Sequence, residues 1–493
     1  MDQLSPQDAQ FLYMQTGNNL THVTSVMIYD PSTVPGGKTV RFKDIIAHVQ
    51  ERLDVSPVLK RRLVRVPLEL DYPYWVEDEY FDLEYHMRHG RLPEPGDWRQ
   101  LCIHMARYHS QPLDMNRPLW EMFVVEGLDH IEGLPKGGYA IATKIHHAAV
   151  DGASLIRFFG SMGDKDNKGT PALPLDIAEP TPSPQPSLLD MARRATVNNL
   201  RSPIGISNAV MRAAPGVYKA LEQALKSSKK EKHSVPATRF NTNVSPHKMF
   251  DATVFALDDL KSVRPAVPGC TINDVVLAIC SGALRKYLKH HRELPTEPLV
   301  AWVPINARPG GASDTDAPGN NIAAMTTPIY TDIADPLERL QAILDSTRQS
   351  KEAKSGVSAR LMTDLTQHIP AATQVLASRL ILQSGVTAKT CNLFVSNVPG
   401  PQVPQYMNGA LAWGNFGLAP LADGMGLFIA TPSYDGKMSF NVISTREIMP
   451  DIRFFVECLE ESLAELKKAA LPPKKRARKK PVARKKTAAR KTK

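Results

Sequence analysis

The sequence predicts an α/β protein of two halves. Three observations carry this reading. The chain has 493 residues and 42% hydrophobic content, enough for two cores or one very large one. Strand-like and helical segments intermix over residues 1–165 and again over 238–466, with a Pro-rich stretch between them. The segment richest in chemistry, Lys144-Ile-His-His-Ala-Ala-Val-Asp-Gly152, stands at a strand–helix junction shortly before that stretch.

In the first half, Gly138-Tyr-Ala-Ile-Ala-Thr-Lys-Ile145 is apolar enough for a buried strand, and Ala153-Ser-Leu-Ile-Arg-Phe-Phe159 has helical apolar spacing. Residues 166–187 are Pro-rich and read as a linker. From Leu188 to about Lys226 the pattern is helical, interrupted at Pro203 and Pro215. This stretch is either a crossover between the halves or an amphipathic element that contacts a membrane. Arg193, Arg194, Arg201 and Arg212 beside apolar residues suit the second role. A charged loop follows, so linker and crossover together span 166–237. Within 238–466, Thr271 to Leu288 reads as an amphipathic helix capped by Thr271 or Asn273, with Val275, Val276, Ile279 and Leu284 at helical spacing.

The net charge of +10 belongs to the end of the chain. Of 60 Lys and Arg, fourteen fall within 467–493, a segment without acids, which leaves 46 against 50 Asp and Glu elsewhere. Such a tail cannot bury a core and is expected to be disordered. It suits attachment to an anionic membrane or lipid-droplet surface. Nucleic acid would also attract it, but no aromatic residue is present in the tail to stack on bases. A tail that is merely solvated is the plain alternative. The five cysteines are scattered without a CxxC pair, so reduced core thiols are expected, with neither a disulfide framework nor a zinc site. With no signal-like N-terminus and no long apolar window, a cytoplasmic protein held peripherally at lipid is expected.

His146, His147, Asp151 and Gly152 make the pattern HHxxxDG. Histidine is the side chain best suited to move a proton near neutral pH. A single histidine beside a strand is usually a hydrogen-bonded core residue, but four fixed residues in seven point to chemistry. HHxxxDG resembles the signature of acyltransferases similar to chloramphenicol acetyltransferase, carnitine acyltransferases and peptide-synthetase condensation domains. No GxSxG elbow occurs, so a covalent serine route is not indicated. At the start of the 271–288 helix, Asn273 can stabilise an oxyanion beside outward backbone N–H groups, or simply cap the helix.

Together with Arg117-Pro-Leu-Trp-Glu121, Thr271-Ile-Asn-Asp274 and Ser396-Asn-Val-Pro-Gly-Pro401, the motif resembles the bacterial wax ester synthase/diacylglycerol acyltransferase family. Leu4-Ser-Pro-Gln-Asp8 and Tyr74-Trp-Val-Glu-Asp78 add to a match running from about residue 4 to 465. The resemblance implies two chloramphenicol-acetyltransferase-like halves, each a mixed sheet flanked by helices, with the active site at their interface. It also implies acyl transfer from acyl-CoA, a substrate rather than a cofactor, to diacylglycerol or a long-chain alcohol. It implies His147 as general base and His146 as a residue that fixes the loop. Asp151 either orients an imidazole or pairs with an arginine, for which Arg308 is the candidate, and Gly152 permits close backbone approach. Pro118, Leu119 and Trp120 either bind substrate or anchor a strand start. Ser396 and Asn397 either line a tunnel or belong to a structural turn. Two competing readings remain: a condensation-type or polyketide-associated acyltransferase with the same base, and a non-enzymatic lipid- or nucleic-acid-binding protein.

Overall fold

Residues 22–30, His-Val-Thr-Ser-Val-Met-Ile-Tyr-Asp, alternate buried and half-buried side chains, the period-two pattern of a strand with one face on a core. In the computed structural model, which describes residues 2–149, 158–173, 185–203, 234–306, 322–354, 369–385 and 387–470, they form β2 (His22–Asp30). Asp151, Gly152 and Arg308 lie outside the described residues, as do parts of the linker and crossover and residues 471–493.

The predicted buried strand is β7 (Tyr139–His146), and every one of its eight side chains is buried. That uniform burial follows from its central place. It pairs antiparallel with β2 on one side and with β6 (Trp120–Glu126) on the other. Beyond β6 lies β5 (Met87–Arg91), parallel to it. The far edge is made by β12 (Tyr406–Met407) and β13 (Ala410–Leu418), so the first six-stranded sheet runs β12-β13-β2-β7-β6-β5. The second sheet takes β8 (Lys248–Ala256), β9 (Val300–Asn306), β10 (Ile322–Pro328), β11 (Leu393–Val398), β14 (Phe428–Tyr434) and β15 (Lys437–Thr445) in the order β10-β9-β11-β14-β15-β8. It too is mixed, with β11 parallel to both β9 and β14. A small third sheet joins β1 (Asp2–Gln3), β4 (Tyr74–Glu77) and β3 (Arg61–Val64).

The helices that frame the sheets and the site are α1 (Pro6–Tyr13), α2 (Phe42–Gln50), α3 (Trp98–His109), α4 (residues 188–203), α5 (Ile272–His290), α6 (Pro336–Lys354), α7 (Ala371–Ser384) and α8 (Ile452–Ala470). The two halves share one continuous apolar cluster, containing Val26, Leu101 and Ala140 from the first and Phe250, Val276 and Phe440 from the second. Two features stitch it. Strand β13, from the second half of the chain, completes the first sheet, and Trp98 on α3 donates its indole N–H to Asp251 on β8 (2.8 Å). Helix α5 carries the core of the second half. Thr271 caps it through a capping box with Asp274, and Val275, Val276, Ile279 and Leu284 are all fully buried. All five cysteines are free and buried. Helix α8 extends through Ala470, so the first residues of the basic segment are helical, and Lys467 pairs with Asp259 at 2.5 Å. No described helix is long and apolar enough to cross a membrane.

The segment after the histidine motif re-enters the described chain at Phe158 and is tied down by a buried ion pair. Arg52, just past α2, meets Asp164 at 2.6 Å, with both side chains almost fully buried. Asp164 also exchanges backbone hydrogen bonds with Tyr406 of β12. Burial raises the Asp164 carboxyl above its usual range even though Arg52 pulls it down. Arg52→Met is therefore expected to destabilise the fold by about 3–5 kcal/mol at neutral pH, because it leaves a buried carboxylate uncompensated. With Asp164 raised further above its unfolded value, protonation favours the folded state, so the deficit should shrink as pH falls towards about 4. Urea unfolding of both proteins at several pH values measures this.

Candidate active site

The site is built from the end of β7. His146 is the last residue of the strand and His147 the first beyond it. Each is clamped by its backbone: His146 N–H donates to Leu119 O and His147 N–H to Thr21 O, both at 2.9 Å. These bonds extend the ladders to β6 and β2 just past the last paired residues, so the two side chains leave the sheet in fixed, opposite directions.

The two imidazoles meet different surroundings. His146 is completely buried. Its Nδ1 accepts from the Ala148 N–H at 3.1 Å, so its proton sits on Nε2, which lies 2.8 Å from Gln15 Oε1 and 3.1 Å from Thr21 Oγ1. Burial first, then the neighbouring His22 and His147, pull its pKa down to about 3. It is neutral at any physiological pH and both ring nitrogens are engaged. His147 is only half-buried, and its ring stacks on Phe11 with centroids 3.9 Å apart and planes 14° from parallel. Phe11 comes from α1, whose start is set by Ser5, which caps the Asp8 N–H, and by Pro6 in the first turn. The Leu4–Asp8 segment thus starts the helix that holds the second histidine's ring.

A row of buried polar groups lies under the first histidine. His22, opposite His146 in the strand pairing, places Nε2 2.7 Å from His109 O. His109 meets Thr24 Oγ1 at 2.8 Å and Ala419 O at 3.2 Å. Lys144, two residues before His146 on the same face of β7, is wholly buried and donates to Gln111 O at 2.9 Å, with Glu121 at 3.4 Å. Burial, reinforced by nearby cationic groups, holds His22 well below the ordinary histidine range and His109 at about 3.

Leu119 and Trp120 are fully buried. Trp120 spends its indole N–H on Leu59 O (2.9 Å) and stacks on His86, while Leu119 supplies the carbonyl that holds His146. Of the two roles open to Pro118, Leu119 and Trp120 on sequence, this geometry favours the packed strand start. Asn273 is the second residue of α5, half-buried, and Thr271 rather than Asn273 is the cap. Its neighbour Asp274 ties α5 to α6 through Thr347 (2.7 Å). Ser396 and Asn397 sit half-buried near the end of β11. After them Gly400 is required sterically, since a Cβ there would lie 2.2 Å from Ser433 O. The side-chain partners of His146 are Gln15, Thr21 and the Ala148 N–H; among the described residues, Asn273, Ser396 and Asn397 do not join them. Sequence reasoning missed Phe11, Gln15, Thr21 and Lys144. Lys144 alone carried a signal, as a cation inside an apolar strand. No described group of His, Cys, Asp and Glu side chains has the arrangement of a metal site.

Comparison with known proteins bears on the family and the fold. Residues 4–276 match the wax ester synthase/diacylglycerol acyltransferase catalytic domain, and residues 318–467 match the C-terminal domain of the same proteins. A Mycobacterium tuberculosis relative provisionally named a diacylglycerol O-acyltransferase is 31% identical, covering 94% of this chain and 90% of its own. The structure of a wax ester synthase/diacylglycerol acyltransferase from Marinobacter aquaeolei VT8 superposes with a TM-score of 0.66 at 28% identity, over 95% of this chain and 99% of that one. The fold is also that of the trichothecene 15-O-acetyltransferase from Fusarium sporotrichioides (TM-score 0.59, 13% identity, 94% of each chain).

Proposed function

Since this chain belongs to the wax ester synthase/diacylglycerol acyltransferase family and is an acyltransferase, we propose that it moves a fatty acyl group from acyl-CoA to the hydroxyl of diacylglycerol, and also of long-chain alcohols. The observation that carries the assignment of the base is the asymmetry of the histidine pair. His146 is buried, neutral and fully engaged, whereas His147 is half-buried and held by stacking on Phe11.

His147 takes the proton of the acceptor hydroxyl as that oxygen attacks the thioester carbonyl. The tetrahedral intermediate then collapses, breaking the C–S bond, and the proton passes to the departing CoA thiolate. An alcohol is a weak nucleophile at neutral pH while a thiolate leaves readily, so one base and one oxyanion donor are sufficient. The Asn273 amide, uncommitted to capping and at the positive end of α5, is the proposed donor. Asp151, with Arg308 as its candidate partner, and Gly152 are proposed to fix the loop after the histidines. Ser396 and Asn397 line the acyl or alcohol path. The basic segment 467–493 holds the enzyme peripherally at an anionic membrane or lipid-droplet surface.

The test is to give purified protein labelled palmitoyl-CoA with diacylglycerol and hexadecanol in competition and to identify the labelled esters. Triacylglycerol, with or without wax ester, is expected. No ester from free acyl-CoA, with transfer only from a carrier-protein thioester, would favour a condensation-type enzyme instead.

A further inference from the structure

Three adjoining elements, a loop of the first half, α4 of the crossover and α7 of the second half, turn leucines to solvent. On α7 the buried residues are Ala371, Gln374 and Ser378, while Leu376 (60% exposed) and Leu380 (56%) point to solvent. Helix α4 buries only Met191 and Ala195, four residues apart, and exposes Leu189 (79%) and Leu200 (72%). Between them the loop at Pro67–Glu69 holds Leu68 at 88% exposure with φ of +56°, a left-handed backbone that a leucine adopts only when its surroundings impose it.

Hydrogen bonds join the three pieces. Asn199 on α4 donates to Leu70 O (2.9 Å) and Asn198 to Asp71 (2.8 Å). Tyr72 donates to Gln374 on α7 at 2.6 Å, and Gln374 donates on to Pro6 O at the start of α1 (2.8 Å). The inner face of α7 is thus anchored by Gln374, and α4 is anchored by its asparagines and the buried Met191, which leaves the leucines outward. Exposed leucines on adjoining elements point to a docking surface. Its charge identifies the partner. Helices α4 and α7 carry Arg193, Arg194, Arg201 and Arg379 against a single acid, Asp190, and all four arginines are exposed. Apolar side chains rimmed by arginine suit the headgroup boundary of an anionic lipid surface.

We infer that the loop at Leu68, with the outer faces of α4 and α7, is the surface by which this enzyme enters an anionic lipid interface. The inference rests on the proposed lipid acyltransfer and adds where the lipid is met. It also explains the location. Glu69 at the tip of the loop lies 3.5 Å from the Tyr13 hydroxyl on α1, and Phe11 on the same helix stacks on His147. A lipid surface seated here adjoins the helix that covers the proposed base.

The test uses the full chain. All native cysteines are buried, so Leu68→Cys supplies the one exposed thiol for an environment-sensitive fluorophore. Asp258→Cys, at a position 90% exposed on the second half, is the control. With vesicles of phosphatidylglycerol containing diacylglycerol, emission from position 68 should shift to the blue and that from 258 should not. A triple variant, Leu68→Asp with Leu200→Asp and Leu380→Asp, should lose roughly tenfold or more of its turnover on vesicle-borne diacylglycerol while keeping its turnover on detergent-dispersed substrate. An unshifted probe, or native vesicle turnover by a folded triple variant, overturns the inference. So does a concentration-dependent blue shift without vesicles, which would mean that a second copy covers the face. A blue shift in a protein that makes no ester even in detergent would instead leave the docking surface standing and remove the acyltransfer reading.

Discussion

Replacing His147 with alanine is expected to lower acyl transfer by roughly 10²–10⁴-fold, the usual worth of a positioned general base, while leaving the fold intact. The second half of that statement comes from its surroundings. His147 is half-buried and tied to the sheet by its backbone N–H bond to Thr21 O, and that bond survives the substitution. What the variant loses is the ring stacked on Phe11 and the nitrogen proposed to accept the proton. His146→Ala is a contrasting case: it removes the hydrogen bonds to Gln15 and to the Ala148 N–H from a fully buried site, so it should cost stability as well as activity. Ester formation by each variant, beside its circular dichroism and urea midpoint, separates the two. Near-native turnover by folded His147→Ala would remove the proposed base.

Acidification from about pH 7 to about pH 5 is expected to unfold the protein well before its carboxylates titrate. His48 is held at about 4 and His109 and His146 at about 3, each mainly by burial, and His22 is also far below the ordinary value. In the unfolded chain all four return to about 6.5. Below that pH the unfolded state binds protons that the folded state refuses. The stability is therefore fully present above about 6.5 and falls as pH drops towards the folded values. Each histidine contributes about 1.4 kcal/mol per pH unit inside this window, so four together can exhaust the few kcal/mol that hold a typical domain. Urea midpoints measured between about pH 8 and pH 5 test it. A flat profile would show that these rings are not neutral in the folded state.

Much of the site was legible because its signals are local. A run of apolar residues ending in two histidines marks a central strand, and β7 is buried on both faces. Thr271 three residues before Asp274 marks a helix start, and that capping box is present. Cysteines scattered without pattern are free and buried. The features that stayed hidden depend on contacts far apart in the chain. That Phe11 stacks on His147 joins residues separated by most of the first half. That Leu119 serves His146 with its carbonyl cannot be read from a side-chain pattern at all.

Strand β13 is the clearest case. Its alternating burial reads as a half-buried strand anywhere in the second half, yet it completes the first sheet beside β2. Period-two hydrophobicity specifies which face is buried and says nothing of which edge will accept the strand. Helix α7 follows the same logic: leucine spacing looks alike whether it faces a core or a lipid surface, and only packing shows Gln374 and Ser378 turned inward. The sequence by itself therefore determined the family, the two mixed sheets and the histidine pair. The tertiary structure decided that the pair divides into a locked, neutral His146 and a stacked, half-open His147. Desolvation and ring contacts divide them, and both are properties of neighbours that the fold supplies.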